Sequence, residues 1–311
     1  MSGFVRTVLG DVASEELGPI YAHEHLLTRP MGEQIRDDPD LVLDDEQRAA
    51  AELRTFVQAG GRALVEASTA ELGRNLAGLR RLARRTGVHV VAATGHVCEQ
   101  YWRGALDLEV KPERALVDGF VRDLTVGMDG TDVRAGVVKV GSSLDRVTDA
   151  EARVIRAAAA AQRQTGAPIT THTTAGTAAM AQVRALERAG ADLSHVCVGH
   201  LDRRLVWEDH LALARTGVFL GYDCVGKEQY QPDAERVRFI LRLVEAGHGR
   251  QVLLAGDMAR RRYLGAWGGG PGYRFILREF LPRLRAAGLD DADAQALMVA
   301  NPASFLTWRG G

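Results

Sequence analysis

The chain has 311 residues, with 39 basic against 40 acidic side chains, a formal net charge of −1, 46% hydrophobic residues and 25% charged ones. This composition excludes disorder over most of the length, and it lacks the basic excess of a nucleic-acid binder or of a basic membrane-surface helix. No apolar run approaches the roughly 18 to 20 residues that span a bilayer, and MSGFVRTVLGD at the start has no apolar stretch behind a charged one. A cytoplasmic protein with no membrane or nucleic-acid partner is expected.

Short apolar runs of β character recur along the chain, at 19–25, 63–68, 89–95, 136–140, 168–172, 195–200, 218–223 and 251–257. Helical stretches rich in Ala, Leu and Arg separate them, near 45–59, 73–85, 112–127, 149–164, 176–189, 205–215, 233–246 and 274–287. A last helix near 290–300 is expected to stop at Asn301-Pro302. Eight alternating units without a Pro- or Ser-rich linker predict one domain over 1–311, an α/β fold of the (β/α)8 barrel type. An open doubly wound sheet is the alternative, but no GxGxxG or GxxxxGK[ST] opens any helix. The glycine-rich stretch at 268–272 reads as a flexible loop.

In such a barrel the active site lies at the C-terminal strand ends. The first run ends in His23-Glu24-His25, the fourth carries Lys139, the fifth ends in His172, the sixth in His200 and the eighth in Asp257. These are metal-ligand types. Two residues apart on a strand, His23 and His25 share one side and Glu24 takes the other. The remaining histidines contrast with these. His89 and His195 open their strands, His210 and His248 lie in or after helices and read as solvated, and His96 is ambiguous. Cys98, Cys197 and Cys224 form no CxxC and read as small buried hydrophobes.

Lysine occurs only at 111, 139 and 227, against arginine at every other basic position. A lone ammonium at Lys139 inside GVVKV would be costly to bury unpaired. A primary amine, unlike arginine, reacts with carbon dioxide to give a carbamate, whose two oxygens can bridge two metals. Lys227 follows the seventh run, and Arg260 and Tyr263 follow the eighth, in the loops where these barrels frequently bind phosphate. The run Arg260 to Arg262 also reads as a solvated charge run.

HEH, AGVVKVG, ITTHT, VCVGHLD, LLAGD and ANPASFL, in this order, resemble the phosphotriesterase family of the amidohydrolase superfamily. GYDCVGKEQYQPD and DMARRRYL resemble its homology-protein and sugar-phosphate lactonase branch. The resemblance implies two divalent ions, zinc best with manganese or cobalt able to substitute. His23, His25 and Asp257 would hold the more buried ion, His172 and His200 the more exposed one, and carboxylated Lys139 would bridge them. It further implies hydrolysis through a metal-bridging hydroxide with Asp257 as proton acceptor, and a substrate phosphate on Lys227, Arg260 and Tyr263. The implied reaction is that of a lactonase on phosphorylated sugar lactones, and the implied assembly a homodimer. An organophosphate triesterase, a carboxylesterase, a cyclic amidase and a non-enzymatic binding barrel remain open.

Overall fold

Valine- and alanine-rich runs each followed by an amphipathic helix favour parallel strands, because every helix returns the chain to the same end of the sheet. The computed structural model describes residues 3–308. It opens with an antiparallel hairpin, β1 (Phe4–Thr7) and β2 (Gly10–Ala13). The barrel strands follow as β3 (Ile20–Glu24), β4 (Ala63–Glu66), β5 (His89–Gly95), β6 (Val137–Ser142), β7 (Ile169–Thr173), β8 (Val196–Val198), β9 (Phe219–Tyr222) and β10 (Val252–Leu254). They pair in chain order, all parallel, so the expected (β/α)8 barrel is what forms.

Between the barrel strands lie the helices α1 (Glu46–Gln58), α2 (Leu76–Thr86), α3 (Glu99–Trp102), α4 (Glu113–Thr125), α5 (Asp149–Thr165), α6 (Ala179–Arg188), α7 (Trp207–Ala214) and α8 (Asp233–Glu245). Local chemistry sets their ends. Thr148 and Glu151 form a capping box at the start of α5, and left-handed Gly166 (φ 76°) ends it. No helix among the described residues is long and apolar enough to cross a membrane.

Inside the barrel, Ile20, Ala22, Ala63, Val65, Val91, Ala93, Val137, Cys197, Phe219 and Leu253 pack with Val5, Leu17, Phe305 and Leu306. The hairpin was not anticipated. It is anchored by the Trp308 ring stacked on Phe4 (centroids 5.7 Å) and by the Trp308 amide donating to the Phe4 carbonyl at 2.9 Å.

Two expectations are corrected. The last helix does not stop before Pro302: it widens into a π-turn over Ala296–Ala300 and continues as Asn301–Leu306. A proline removes one backbone donor and crowds the carbonyl four residues back, and the wide turn absorbs both. Another π-turn, Ile276–Phe280, precedes Pro282 in the same way. His210 is buried rather than solvated, because Tyr222 Oη (2.7 Å) and the Arg204 carbonyl (3.0 Å) satisfy its ring. The three cysteines are buried and free, as read. Residues 269, 270 and 272 of the glycine-rich loop donate backbone bonds to Leu264, Arg262 and Tyr263.

Candidate active site

Strand parity decides which side chains reach the barrel mouth. Val137 faces the interior on β6, so Lys139 does too. Asp257 lies beyond the end of β10, and the loop rather than strand parity brings it to the mouth. Strand β3 needs one further step: Ile20 and Ala22 face inward while Tyr21 packs outward on Phe56. Unbroken alternation would send His23 and His25 outward with Tyr21. A register irregularity between Tyr21 and Glu24 resets the phase and turns both imidazoles into the mouth. Two non-glycine residues there hold left-handed backbones, His200 (φ 59°) and Asp257 (φ 46°). Such strain persists only where surrounding structure enforces it.

All nine residues singled out from the sequence, His23, His25, Lys139, His172, His200, Lys227, Asp257, Arg260 and Tyr263, line one cavity of about 340 Å³. His96 does not. It pairs with Glu71 at 3.1 Å, away from this cavity.

One group of donors comprises His23, His25 and Asp257, whose ligand atoms all lie within 4.8 Å of one another. Asp257 Oδ1 is 3.2 Å from His25 Nε2 and 3.7 Å from His23 Nε2. Beside them stand His172 and His200, with His200 Nε2 2.8 Å from His172 Nδ1. Their outer partners set the tautomers. His200 Nδ1–H donates to Asp223 Oδ1 at 2.7 Å. Thr174 spends its hydroxyl proton on the Ser142 carbonyl, so His172 Nε2–H is the donor to Thr174 Oγ1 at 3.3 Å. With these tautomers the two nitrogens that face each other each present a lone pair, the form in which imidazole takes up a cation.

Burial keeps two of these imidazoles, His23 and His172, neutral. It is the largest cause pushing His23 down to about 3, with the Lys139 charge adding to it, and it holds His172 well below the usual histidine range. Neutral imidazole is the form that binds metal. Lys139 Nζ sits 3.1 Å and 3.4 Å from the two ring nitrogens of His23. Burial pushes this amine down to about 8, toward the neutral form that adds to carbon dioxide. Imidazole and carboxylate donors of this kind fit zinc or a similar divalent ion.

Lys227 donates to Asp257 Oδ2 at 2.6 Å and also to the Asp257 carbonyl. Burial alone would raise the Asp257 carboxyl, but the Lys227 charge and the histidines outweigh it and hold the group well below its usual range. Arg260 is not part of a solvated run: it donates to Asp38 at 2.6 Å and Asp40 at 3.3 Å. Tyr263 Oη accepts from Gln229 Nε2 at 2.9 Å and lies 3.3 Å from Tyr230 Oη.

Sequence reading missed Asp223. Its carboxylate accepts from the His200 amide (2.9 Å) and ring, and its other oxygen lies 3.3 Å from His23 Nδ1, so it ties the two histidines together. The signal was present, since inward-facing Phe219 places Gly221 and Asp223 on the same parity at a strand end.

The model of the phosphotriesterase family matches residues 3–306. The phosphotriesterase homology protein of Escherichia coli (strain K12) is 33% identical over 289 residues, covering 93% of this chain and 97% of that protein. The N-acetyltaurine hydrolase of Homo sapiens is 31% identical over 350 residues, covering 99% of each. The crystal structure of a lactonase from Listeria monocytogenes matches with a TM-score of 0.95 at 33% identity, covering 98% of this chain and 99% of that one. The chain belongs to the phosphotriesterase family and is a hydrolase of ester or amide bonds.

Proposed function

We propose that the protein is a binuclear metal-dependent lactonase acting on a lactone that carries a phosphate remote from the scissile bond. The observation that carries the reading is the approach of His172 Nδ1 and His200 Nε2 to 2.8 Å beside the His23, His25 and Asp257 group. His23, His25 and Asp257 would hold one ion and His172 and His200 the other. Lys139, as a carbamate, would join them. When bound, two such ions supply Lewis acidity, acidifying water and polarising a carbonyl oxygen.

The remaining steps belong to the chain. Ionised Asp257 accepts the proton of the attacking water and returns it to the leaving oxygen. Lys227 holds that carboxylate in place through Oδ2. Asp223 fixes the ring of His200 with its Nε2 toward the cavity. Tyr263, with Lys227 and Arg260 where they share their carboxylate partners, lines the same cavity and would contribute to holding the phosphate.

A second reading, hydrolysis of an N-acylated amino sulfonate, is supported by the N-acetyltaurine hydrolases, which match over 99% of the chain. One panel separates the two: phosphorylated and unphosphorylated sugar lactones, N-acetyltaurine and paraoxon-type esters, assayed on zinc- or manganese-loaded protein. Highest kcat/KM on a phosphorylated lactone supports the first reading. Highest kcat/KM on N-acetyltaurine replaces it with the second, and highest kcat/KM on paraoxon overturns both.

A further inference from the structure

Four cationic side chains line the cavity: Lys139, Arg203, Lys227 and Arg260. Three are already engaged. Lys139 lies against His23, Lys227 is paired with Asp257, and Arg260 with Asp38 and Asp40. To take up an anion, Lys227 or Arg260 would first have to share or leave a carboxylate.

Arg203 is different. Among the described residues its side chain makes no hydrogen bond and no ion pair, and its guanidinium carbon lies 4.1 Å from the centroid of the Tyr230 ring. Contact with a ring face leaves the five N–H donors of a guanidinium unspent. The residue is half-buried on the turn Leu201–Arg203, directly after His200, and its amide donates to the His200 carbonyl at 3.2 Å. Its platform is also fixed: Tyr230 Oη meets Tyr263 Oη, and Gln231 Nε2 reaches the Arg203 carbonyl at 3.4 Å. A pre-positioned forked donor next to a candidate metal ligand, lacking an internal counter-ion, is built for an anion that arrives from outside.

We propose that Arg203, seated on Tyr230, receives the terminal anionic group of the substrate, a carboxylate, sulfonate or phosphate remote from the scissile bond. This rests on reading the cavity as the hydrolytic site. It makes Arg203 the specificity-determining residue, with the phosphate, sulfonate and carboxylate classes sharing one forked recognition.

The test compares two activated esters of similar shape, mono-p-nitrophenyl glutarate, with a remote carboxylate, and p-nitrophenyl pentanoate, without one, on metal-loaded protein. The wild type is expected to prefer the glutarate by tenfold or more in kcat/KM. In Arg203→Ala that ratio should fall to about one, and in Arg203→Lys it should recover in part. A wild-type ratio near one, or a ratio retained in Arg203→Ala, overturns the proposal. If the wild type hydrolyses neither ester, the hydrolytic reading of the cavity fails, and calorimetric titration with glutarate then tests Arg203 by itself. Binding at least tenfold weaker in Arg203→Ala upholds the anion site, and equal binding rejects it.

Discussion

The Glu24 carboxylate accepts the two amides that flank Asp257, from Gly256 at 2.7 Å and Met258 at 2.9 Å, while the Asp257 amide donates to the His23 carbonyl at 3.2 Å. β3 and β10 share no ladder in the pairing order. Their seam at the barrel mouth is closed by these three bonds. The same bonds hold Asp257 in its left-handed conformation, against an expected cost of about 1 to 3 kcal/mol. Glu24 thus sets Asp257 opposite His23 and His25 from the reverse side of the same tripeptide.

Glu24→Ala should therefore lower the stability of the metal-free protein by about 2 to 4 kcal/mol, from two lost buried bonds and a cavity. Glu24→Gln, which keeps one acceptor, should lose less. Thermal and urea unfolding read both values. An Ala variant as stable as the wild type would show that the seam closes without Glu24.

Asp223→Ala should leave the barrel folded but free the His200 ring from its tautomer and orientation. Outer partners of this kind are worth about 10- to 100-fold in metal affinity. Competition with a chromogenic chelator should show that loss for one ion more than for the other. Unchanged affinity for both would remove Asp223 from the account.

Lys139→Ala should lose metal and activity together, and short carboxylic acids added to the medium should restore part of both by standing in for the carbamate oxygens. Lys139→Glu should keep more metal than Lys139→Ala. Growth with 13C-labelled bicarbonate followed by 13C NMR of the loaded protein reads the carbamate directly. A metal-loaded protein without that carbon signal contradicts the bridge.

Acid should destabilise the protein partly through His210. Burial is the largest cause holding its pKa below 6.5, so the unfolded chain takes up a proton first. Stability is then lost as pH falls from about 6.5 toward the lower folded value, and is constant above that window. His210→Gln should flatten this part of the stability profile in metal-free protein. A slope between pH 6.5 and 5 unchanged by the substitution would assign it to other groups.

The barrel and most of its mouth were legible in the sequence because five of the eight strand runs carry a chemically distinctive residue at or near their ends, and period and punctuation place those ends. Asp223 was legible in principle, by parity from Phe219, but Asp in GYDC carries no metal motif of its own. The phase of β3 was not legible. HxH gives the shared side of His23 and His25, whereas the irregularity that turns that side inward depends on pairing with β4. The continuation past Pro302 depends on a wide turn that local preference does not encode, and on buried Asn301 donating to the Gly249 and Val252 carbonyls at 2.8 Å and 2.9 Å. The partner carboxylates of Arg260 come from residues more than 200 positions away.

The central claim, that the histidines, Lys139 and Asp257 form one binuclear hydrolytic centre, is tested most directly by metal titration of chelator-stripped protein with hydrolysis followed in parallel. The account predicts no turnover in stripped protein, uptake of about two divalent ions per chain, and activity that returns with them. Full hydrolysis by stripped protein, or saturation without any bound ion, would contradict it.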